Sequence, residues 1–416
     1  MIDLHSLTPA QLEALCAELG WPRYTAGQIF TWLWQKGVDD IGAMTNLSKE
    51  RRALLAERYS LSRSELLRTL HDEDGTTKFT FKLADGNIIE SVFIFENPPL
   101  APTPRSPIPD PRPLAPASGR RTVCVSTQVG CKLGCSFCFT GTLGFTRDLA
   151  WHEIAAQVLS VRQYLGSVKS QGENPKSGFS PDFAISPFPF PLVTQSLGSH
   201  KSHGENPKSG SAPDLAISPF PFPLITNVVF MGMGEPFLNY DATIEAARTI
   251  NAENGLGIGA RRITISTSGI PDGIRAFTQL PQQFRLALSL NASDDETRSQ
   301  LMPVNKLHPL KEVMAAIREY TAAKGKRVTF EYVLVDGINN RDRDVKQLAV
   351  LLKGIPCKVN LIPLNPFPGC DLSAPSEQSV DAFAKKLWPL VPAVTVRRSK
   401  GARILAGCGQ LAGLSE

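Results

Sequence analysis

The chain lacks several features, and each absence excludes a class of protein. Its amino terminus has no basic start and no apolar run of signal-peptide length, and no stretch of the 416 residues is long enough to span a bilayer. Both absences predict a cytoplasmic protein without a membrane partner. The chain also has little excess of either charge, because it contains 44 Lys and Arg and 39 Asp and Glu. The resulting net charge of +5 permits an RNA partner but does not demonstrate one.

The composition is that of a globular protein. Hydrophobic residues make up 42% of the chain and charged residues 20%. A chain of 416 residues can bury a large core and is long enough for more than one domain. Eight cysteines in a cytosolic protein are more typical of metal binding or catalysis than of a disulfide framework.

The most informative motif is a run of three cysteines, Cys131, Cys135 and Cys138, with Cys-x3-Cys-x2-Cys spacing. No other Cys or His follows within the next ten residues, and the nearest candidate ligand is His152. A structural zinc site would normally close with a fourth ligand. Three thiolates can instead hold a four-iron cluster and leave one iron without a protein ligand. The spacing therefore predicts an iron–sulfur cluster with an open iron.

Beyond residue 120, apolar β-branched runs alternate with stretches of helical composition. Six β/α units in series predict an α/β fold, in which parallel strands form a full or partial (β/α)6 barrel of the TIM type. In such barrels the chemistry gathers at the carboxyl ends of the strands, and the cysteine run directly follows the first one. The candidate strands are 122–127, 227–231, 262–267, 284–290, 328–334 and 358–362. The clearest candidate helices are 241–254, 309–324 and 341–353.

Two smaller units precede the predicted barrel domain at 121–416. Residues 1–65 predict a helical domain, in which Thr8 is an N-cap and Gln11 could close a capping box. Its apolar stripe is typical of a core, with a nucleic-acid-binding module as the alternative. Residues 66–97 predict an extension, with a β-hairpin at 78–95 that turns around Asp85 and Gly86.

One carboxylate of this hairpin is a candidate for catalysis. Strand alternation places Glu90 on the same face as Ile88, Val92 and Ile94. A partly desolvated carboxylate there suits a proton acceptor. The alternative is an edge-strand glutamate that discourages pairing with another chain.

Polar residues also recur where successive barrel strands end. Glycines let a backbone approach a ligand closely, and a carboxylate beside them can accept hydrogen bonds from an ammonium group. Each residue alone could be an ordinary cap or turn, but together they predict a ligand site at the barrel mouth. The residues are Gly234, Glu235, Ser266, Ser289, Asn291 and Asn365.

Two further cysteines stand out by their surroundings. Cys408 lies between glycines, which would give a mobile backbone and let the thiol swing. Cys124 lies in the first barrel strand, so the two thiols could meet at the mouth. The alternative is that each is a small buried hydrophobe, which is what we expect of Cys16, Cys357 and Cys370.

These motifs together resemble the radical S-adenosylmethionine (SAM) enzymes, in which an aromatic residue, here Phe137, precedes the last cysteine. More narrowly, the chain is similar to the RlmN family of dual-specificity adenine-C2 RNA methyltransferases. The resemblance covers nearly the whole chain except the linker and insert described below. The segments that carry it are 124–131, 227–236, 365–369 and 406–413.

The resemblance implies a role for each matching residue. Cys131, Cys135 and Cys138 would bind a [4Fe-4S] cluster, whose open iron takes the amino and carboxylate groups of SAM. Cys408 would carry a methyl group, and Cys124 would be its resolving partner. Glu90 would be the proton acceptor. The residues that would hold SAM are Gly234, Glu235, Ser266, Ser289, Leu290, Asn291 and Asn365.

The implied reaction forms 2-methyladenosine. One SAM would methylate Cys408, and a second would be cleaved to a 5′-deoxyadenosyl radical that takes a hydrogen atom from the S-methyl group. The carbon radical would add to adenine, Glu90 would remove the ring proton, and Cys124 would form a disulfide with Cys408. The implied substrates are adenosine 2503 of 23S rRNA and adenosine 37 of certain tRNAs, and the base must leave its stack to react. The implied partners also include an electron donor such as flavodoxin or ferredoxin, and the protein would be a monomer.

The chain departs from the family pattern at one position, and two rival functions are left open. Asn291 stands where the family often has His, and an amide can form hydrogen bonds but cannot be a cation. The nearest rival is the resistance-type enzyme that methylates carbon 8 of the same adenosine, although the Glu-Pro pair at 235–236 favours the C2 enzyme. The second rival is a non-catalytic, zinc-stabilised RNA-binding protein. It predicts a colourless protein, whereas the cluster predicts a brown, oxygen-sensitive one.

Two segments interrupt the pattern of folded elements. Residues 98–120 predict an extended proline-rich linker. Within 167–226, residues 169–194 recur almost unchanged at 201–226, a period of 32. Prolines at alternating positions exclude a central strand, and two copies are too few for a stable solenoid. We expect a duplicated, disordered insert between the first helix and the second strand.

This interpretation predicts that the insert is dispensable. Deletion of 169–226 should leave methyl transfer within about twofold of the full chain, because a looped-out insert contributes little to the barrel core. The rate is measured on purified protein, and circular dichroism checks that the shortened chain is folded. Complete loss of activity with the fold intact would contradict the interpretation.

Overall fold

The computed structural model of the protein describes residues 1–96, 119–171 and 224–413. The predicted linker at 98–120 and the predicted insert at 167–226 lie mostly outside these residues. Their ends correct the predicted boundaries, because a strand already begins at Arg120 and the helix before the insert continues to Gln171. Within the described ranges, no helix is long and apolar enough to cross a membrane.

The described residues form strands and helices in the following order along the chain. The strands are β1 Ile2–Asp3, β2 Tyr59–Ser60, β3 Glu65–His71, β4 Thr77–Lys82, β5 Ile88–Glu96, β6 Arg120–Cys124, β7 Gln128–Gly130, β8 Phe145–Asp148, β9 Asn227–Phe230, β10 Ile263–Thr267, β11 Arg285–Ser289, β12 Val328–Leu334, β13 Cys357–Pro363 and β14 Val394–Val396. The helices are α1 Pro9–Glu18, α2 Tyr24–Thr31, α3 Lys49–Arg58, α4 Phe139–Thr142, α5 Trp151–Gln171, α6 Tyr240–Asn251, α7 Pro271–Thr278, α8 Asp295–Leu301, α9 Leu310–Lys324, α10 Asp342–Leu351 and α11 Glu377–Leu387.

A ten-stranded sheet organises the fold, in the order β14-β13-β12-β11-β10-β9-β6-β5-β4-β3. From β6 to β14 every neighbouring pair is parallel, and from β6 to β3 every pair is antiparallel. The six predicted barrel strands correspond to β6, β9, β10, β11, β12 and β13. The predicted partial (β/α)6 barrel is confirmed, with the short β14 as an additional parallel strand.

The central strands are buried on both faces, as a parallel sheet covered by helices requires. In β11, the consecutive residues Leu286, Ala287 and Leu288 are all buried, at no more than 1% exposure. The covering helices place one apolar face against the sheet. In α6 that face is built by Ile244 and Ile250, with the small Ala247 between them.

The amino-terminal helical region forms as the sequence predicts and is anchored to the barrel. Thr8 and Gln11 make the predicted capping box at the start of α1. The region is held against α5 by two side chains of that helix. The guanidinium of Arg162 donates to the carbonyl oxygens of Trp34 and Gln35 at 2.7 and 2.8 Å, and the Trp151 indole donates to that of Ser6 at 3.2 Å.

The extension contains the predicted hairpin, formed by β4 and β5, and a third antiparallel strand, β3, that the sequence pattern did not indicate. The turn uses Gly86 with a φ of 85°, a conformation that favours glycine. Because β5 lies between β4 and β6, Glu90 is in the interior of the sheet. The interpretation of Glu90 as an edge-strand residue is therefore wrong.

Candidate functional site

The barrel mouth encloses a cavity of about 1280 Å³, including the space open to solvent. It lies at the carboxyl ends of the parallel strands, where the chemistry of such barrels is expected. The residues predicted from sequence that line it are Cys124, Cys131, Cys135, Cys138, Gly234, Glu235, Ser266, Ser289, Asn291, Asn365 and Cys408. Two predicted residues, Glu90 and Leu290, are buried beside the cavity and do not line it.

The loop that carries the three cysteines is folded by close backbone contacts. The N–H of Cys131 donates to the Gly144 carbonyl at 2.8 Å, and that of Cys138 donates to the Cys135 carbonyl at 3.1 Å. Gly130, at φ 74°, permits this approach, because a Cβ there would lie 2.0 Å from the oxygen of Gly144. The loop is thus shaped by its backbone before any group binds to its thiols.

Burial determines the protonation of these thiols. It raises the pKa of Cys131 to about 12 and that of Cys135 well above its usual value, and the neighbouring thiols add to both shifts. Without a bound metal the thiols are therefore neutral near pH 7. Iron binds the thiolate, so loading of a cluster here would release protons.

The three thiols of this loop line one cavity. In a four-iron cluster each thiolate binds a different iron, so three separate thiols facing one cavity fit that group.

Glu235 lies beside the cysteine loop as a buried carboxylate, with 2% of its surface exposed. Its oxygens accept hydrogen bonds from the N–H groups of Phe237 at 3.0 Å and Ser268 at 2.7 Å. Desolvation raises the pKa of Glu235, and these donors only partly oppose it. Gly234, at φ 99°, packs where a Cβ would lie 2.6 Å from Gln128. The arrangement can accept an ammonium group that approaches from the cavity.

Asn291 ends the fourth barrel strand in the left-handed region, with a φ of 56°. Asn is one of the few non-glycine residues that adopt this conformation readily. Its Oδ1 accepts from the N–H of Val333 at 2.9 Å, and its Nδ2 donates to the sulfur of Met302 at 3.3 Å. Asn291 therefore braces β11 against β12 while it lines the cavity. The neighbouring Leu290 is fully buried, its N–H donates to the carbonyl of Glu331 at 2.9 Å, and its carbonyl accepts from Arg298 at 3.1 Å.

Asn365 has a similar bracing role at the end of β13. Its Nδ2 donates to the carbonyl of Cys408 at 3.0 Å, and its Oδ1 accepts from the hydroxyl of Ser399. This side chain therefore fixes the segment 407–413, hereafter the C-terminal segment, at the cavity. The same segment accepts a hydrogen bond at the Gly409 carbonyl from the N–H of Phe139, at 2.7 Å.

Cys124 and Cys408 line the same cavity, as the sequence led us to expect, and both are free thiols. Cys408 is exposed, whereas Cys124 is buried, and burial raises the pKa of Cys124 to about 12. Of the three cysteines expected to be inert, Cys16 and Cys357 are fully buried and Cys370 is half-buried.

Glu90 is held by two donors at the edge of the site. The ammonium of Lys78 lies 3.0 Å from its Oε1, and the N–H of Ala412 donates to its Oε2 at 2.9 Å. Leu411 of the C-terminal segment lines the cavity, whereas Glu90 does not. In this conformation the carboxylate is next to the cavity but covered.

Sequence reasoning missed three charged residues of the site. Arg298 is fully buried and donates to the carbonyls of Leu290 at 3.1 Å and Ser268 at 2.5 Å, so it ties two strand ends together. Arg397 and Glu331 line the same cavity as Cys124 and Cys408. The negative charge of a Cys408 thiolate would raise the pKa of Arg397. The partners of Arg298 are mostly backbone carbonyls, and Glu331 and Arg397 come from separate segments, so no short motif signals these three residues.

Two protein-family models and a solved structure match the chain. Residues 222–349 match the model of the radical SAM superfamily, and residues 2–61 match the N-terminal domain of ribosomal RNA large subunit methyltransferases. A solved radical SAM methyltransferase from Sphaerobacter thermophilus is 38% identical, with a TM-score of 0.76 and 100% of both chains covered. The fold and site thus define a radical SAM enzyme.

Full-length relatives narrow this class to one family. A "Probable dual-specificity RNA methyltransferase RlmN" of Thermotoga neapolitana is 38% identical over 99% of this chain and 97% of its own length. The "Dual-specificity RNA methyltransferase RlmN" of Nitratidesulfovibrio vulgaris is 36% identical over 99% and 94%. The chain belongs to the RlmN family of RNA methyltransferases. Enzymes of the radical SAM class use a [4Fe-4S] cluster and SAM as cofactors.

The geometry of the cysteine loop generates a direct prediction. A Cys135→Ala variant, purified without oxygen, should be colourless and contain no more than about a tenth of the wild-type iron, because a thiolate ligand is lost. Cys370→Ala is the matched control, since that half-buried thiol lies outside the cavity lining, and it should stay brown. Iron content and visible absorption give the readout. A brown Cys135→Ala protein with full iron content would disprove the ligand assignment.

Proposed function

We propose that this protein methylates carbon 2 of adenosine in 23S rRNA and in tRNA, with Cys408 as the methyl carrier. The observation that carries the proposal is the shared cavity, in which Cys124, Cys408 and the three-cysteine loop face one another. The similarity to RlmN enzymes along the whole chain supports it. A base that leaves its stack could enter this cavity from the open side.

The three-cysteine loop would hold the [4Fe-4S] cluster. Glu235, with Gly234, Ser266, Ser289, Leu290, Asn291 and Asn365 around it, would hold SAM. Glu235 suits the amino group of SAM, because a buried carboxylate gains most from a positive partner. When bound, these cofactors supply the methyl group and the radical that activates the S-methyl carbon. The protein supplies position and exclusion of water.

Cys408 would take up the methyl group, since its thiol is the exposed one of the pair. Its carbon then becomes bonded to adenine, which gives a covalent RNA–protein adduct. Glu90 would accept the proton from carbon 2. The Cys124 thiol would lose its proton and attack the Cys408 sulfur to form a disulfide. The bond between the Cys408 sulfur and the transferred carbon would break, and that carbon would keep the electron pair and take a solvent proton to become the methyl group.

The electrostatics of the pair fit this division of roles. A thiol with a pKa of about 12 is a poor nucleophile until it loses its proton, so Cys124 would not compete with Cys408 for the methyl group. The positive charge of Arg397 opposes the effect of burial on Cys124. It would assist the late attack by the Cys124 sulfur.

We also propose an RNA-binding region, an electron donor and an oligomeric state for the enzyme. The amino-terminal region at 1–65 would help to bind RNA, supported by its match to a methyltransferase domain and by the exposed Lys49 and Arg58 on α3. A flavodoxin or ferredoxin would supply electrons. We propose that the enzyme acts as a monomer in the cytoplasm, where its RNA substrates are found.

Methylation at carbon 8 is the competing outcome. The two products separate after nuclease digestion of RNA modified in vitro, followed by mass spectrometry against 2-methyladenosine and 8-methyladenosine standards. We expect only the 2-methyl product. A majority of 8-methyladenosine would overturn the proposed position of attack.

The two cysteines should fail in different ways. Cys408→Ala should lose methyl transfer by at least about 10³-fold, because the carrier is absent, whereas Cys124→Ala should trap the RNA–protein adduct, because no thiol releases it. Denaturing gels detect the adduct, and mass spectrometry detects free methylated RNA. Normal release of methylated RNA by the Cys124→Ala enzyme would refute the resolving role.

A further inference from the structure

Lys78 is a buried ammonium in the interior of the sheet, with only 7% of the residue exposed. It lies on β4, opposite Val92 on β5, and Glu90 lies opposite Thr80. The two charged residues are therefore diagonal neighbours on one face of the antiparallel pair. Their side chains are 9% and 4% exposed, and the ammonium lies 3.0 Å from Oε1 of Glu90.

A charge pair this deeply buried is not explained by stability alone. Removing two charges from water costs several kcal/mol for each ion, and a pair of apolar residues of similar volume is often at least as stable. If one partner is lost, however, the other is left as an uncompensated buried charge. The pair therefore holds the Glu90 carboxylate in place through a charged partner that the same sheet supplies.

The two donors to Glu90 belong to different parts of the protein, the sheet and the C-terminal segment. Lys78 is fixed by the ladder of β4 and β5. Ala412 belongs to the C-terminal segment, which also carries Cys408 and contains left-handed glycines at Gly409 and Gly413. Because Leu411 lines the cavity and Glu90 does not, this segment must shift before Glu90 can reach a substrate.

The consequence of such a shift follows from these contacts. Once Ala412 moves, its N–H no longer occupies Oε2, and that oxygen becomes free to accept a proton. Lys78 stays on Oε1, so the carboxylate keeps its ionic partner and its direction. Without Lys78, neither of the two contacts above would hold the carboxylate in this position.

We propose that Lys78 is a positioning residue for methyl transfer, which holds the Glu90 carboxylate beside the cavity so that it can accept the proton of adenine carbon 2. The inference rests on the proposed role of Glu90 as the proton acceptor. It assigns no contact between Lys78 and RNA. Lys78 acts only through Glu90, and only after the methylene carbon is bonded to the base.

The test compares two steps of one turnover. Reconstituted holoenzyme is mixed, without oxygen, with SAM, a reductant and a 23S rRNA fragment. Methylation of Cys408 is followed by protein mass spectrometry, and the covalent adduct and free 2-methyladenosine are followed by denaturing gels and nucleoside analysis. The variants are Lys78→Met and Lys78→Arg. Lys82→Met is the matched control, because Lys82 is exposed at the end of the same strand.

We expect Lys78→Met to methylate Cys408 within about twofold of the wild-type rate but to release the adduct at least roughly tenfold more slowly, as loss of proton acceptance predicts. Lys78→Arg should recover most of the release rate, and Lys82→Met should behave as wild type. Release by Lys78→Met at the wild-type rate would overturn the inference. Equal loss of Cys408 methylation and adduct release would also overturn it, because that result indicates a structural role.

Two further variants separate this inference from the role of Glu90 itself. If Glu90→Gln releases the adduct normally, the proposed proton acceptor is wrong. If Glu90→Gln traps the adduct and Lys78→Met does not, only the role of Lys78 fails. The double variant Lys78→Met/Glu90→Gln carries no unpaired buried charge, so it tests the idea even if the single variant does not fold. It should match Glu90→Gln in both steps, and an additional loss in the double variant would contradict action through Glu90.

Discussion

The site depends on the attachment of the C-terminal segment to the loop of the three cysteines. The N–H of Phe139 and the hydroxyl of Thr140 donate to the carbonyls of Gly409 and Leu411, at 2.7 and 2.6 Å. Phe139 and Thr140 directly follow the last cysteine of the loop. These two bonds place Cys408 over the cavity, so a methyl group on its sulfur would stand close to the site where a radical is generated. Proximity of this kind is one way in which a protein assists chemistry performed by its cofactors.

Burial around this attachment bears on the proposed order of events. It raises the pKa of Cys124, and in the proposed mechanism the exposed Cys408 thiol would be the first nucleophile. It also makes a buried Glu235 favour a positive partner. Each of these effects has the same cause, because a low-dielectric environment penalises every isolated charge and rewards paired ones. The pairing of Lys78 with Glu90 is another result of that constraint.

Much of the fold could be predicted from sequence, since apolar β-branched runs of strand length are a direct sign of buried parallel strands. Strand β3 was missed because its side chains are mostly exposed, so its sequence shows no alternation of buried and exposed residues. The place of Glu90 inside the sheet was not predictable either, because strand order depends on pairings between distant segments. Local patterns carry no record of such pairings.

The site residues also divide into those that a short motif indicates and those that depend on the folded arrangement. Cysteines and strand-end polar residues were predicted because each sits in a short motif. Arg298 was missed because most of its partners are backbone carbonyls, which any sequence provides. Asn365 was predicted as a ligand residue, yet its visible contacts are to Cys408 and Ser399, so a cavity-lining residue can also be a brace. Such double use becomes visible only when the segments are brought together.

The central claim is that the methyl carbon passes through Cys408 before it reaches RNA. The most direct measurement supplies SAM with a fully deuterated methyl group and weighs the 2-methyladenosine produced by an enzyme whose Cys408 was initially unmethylated. Passage through Cys408 removes one deuterium from the S-methyl carbon and replaces it with a solvent proton, so the account predicts a product with two deuterium atoms in its methyl group. A product with all three would show direct transfer and would contradict the account.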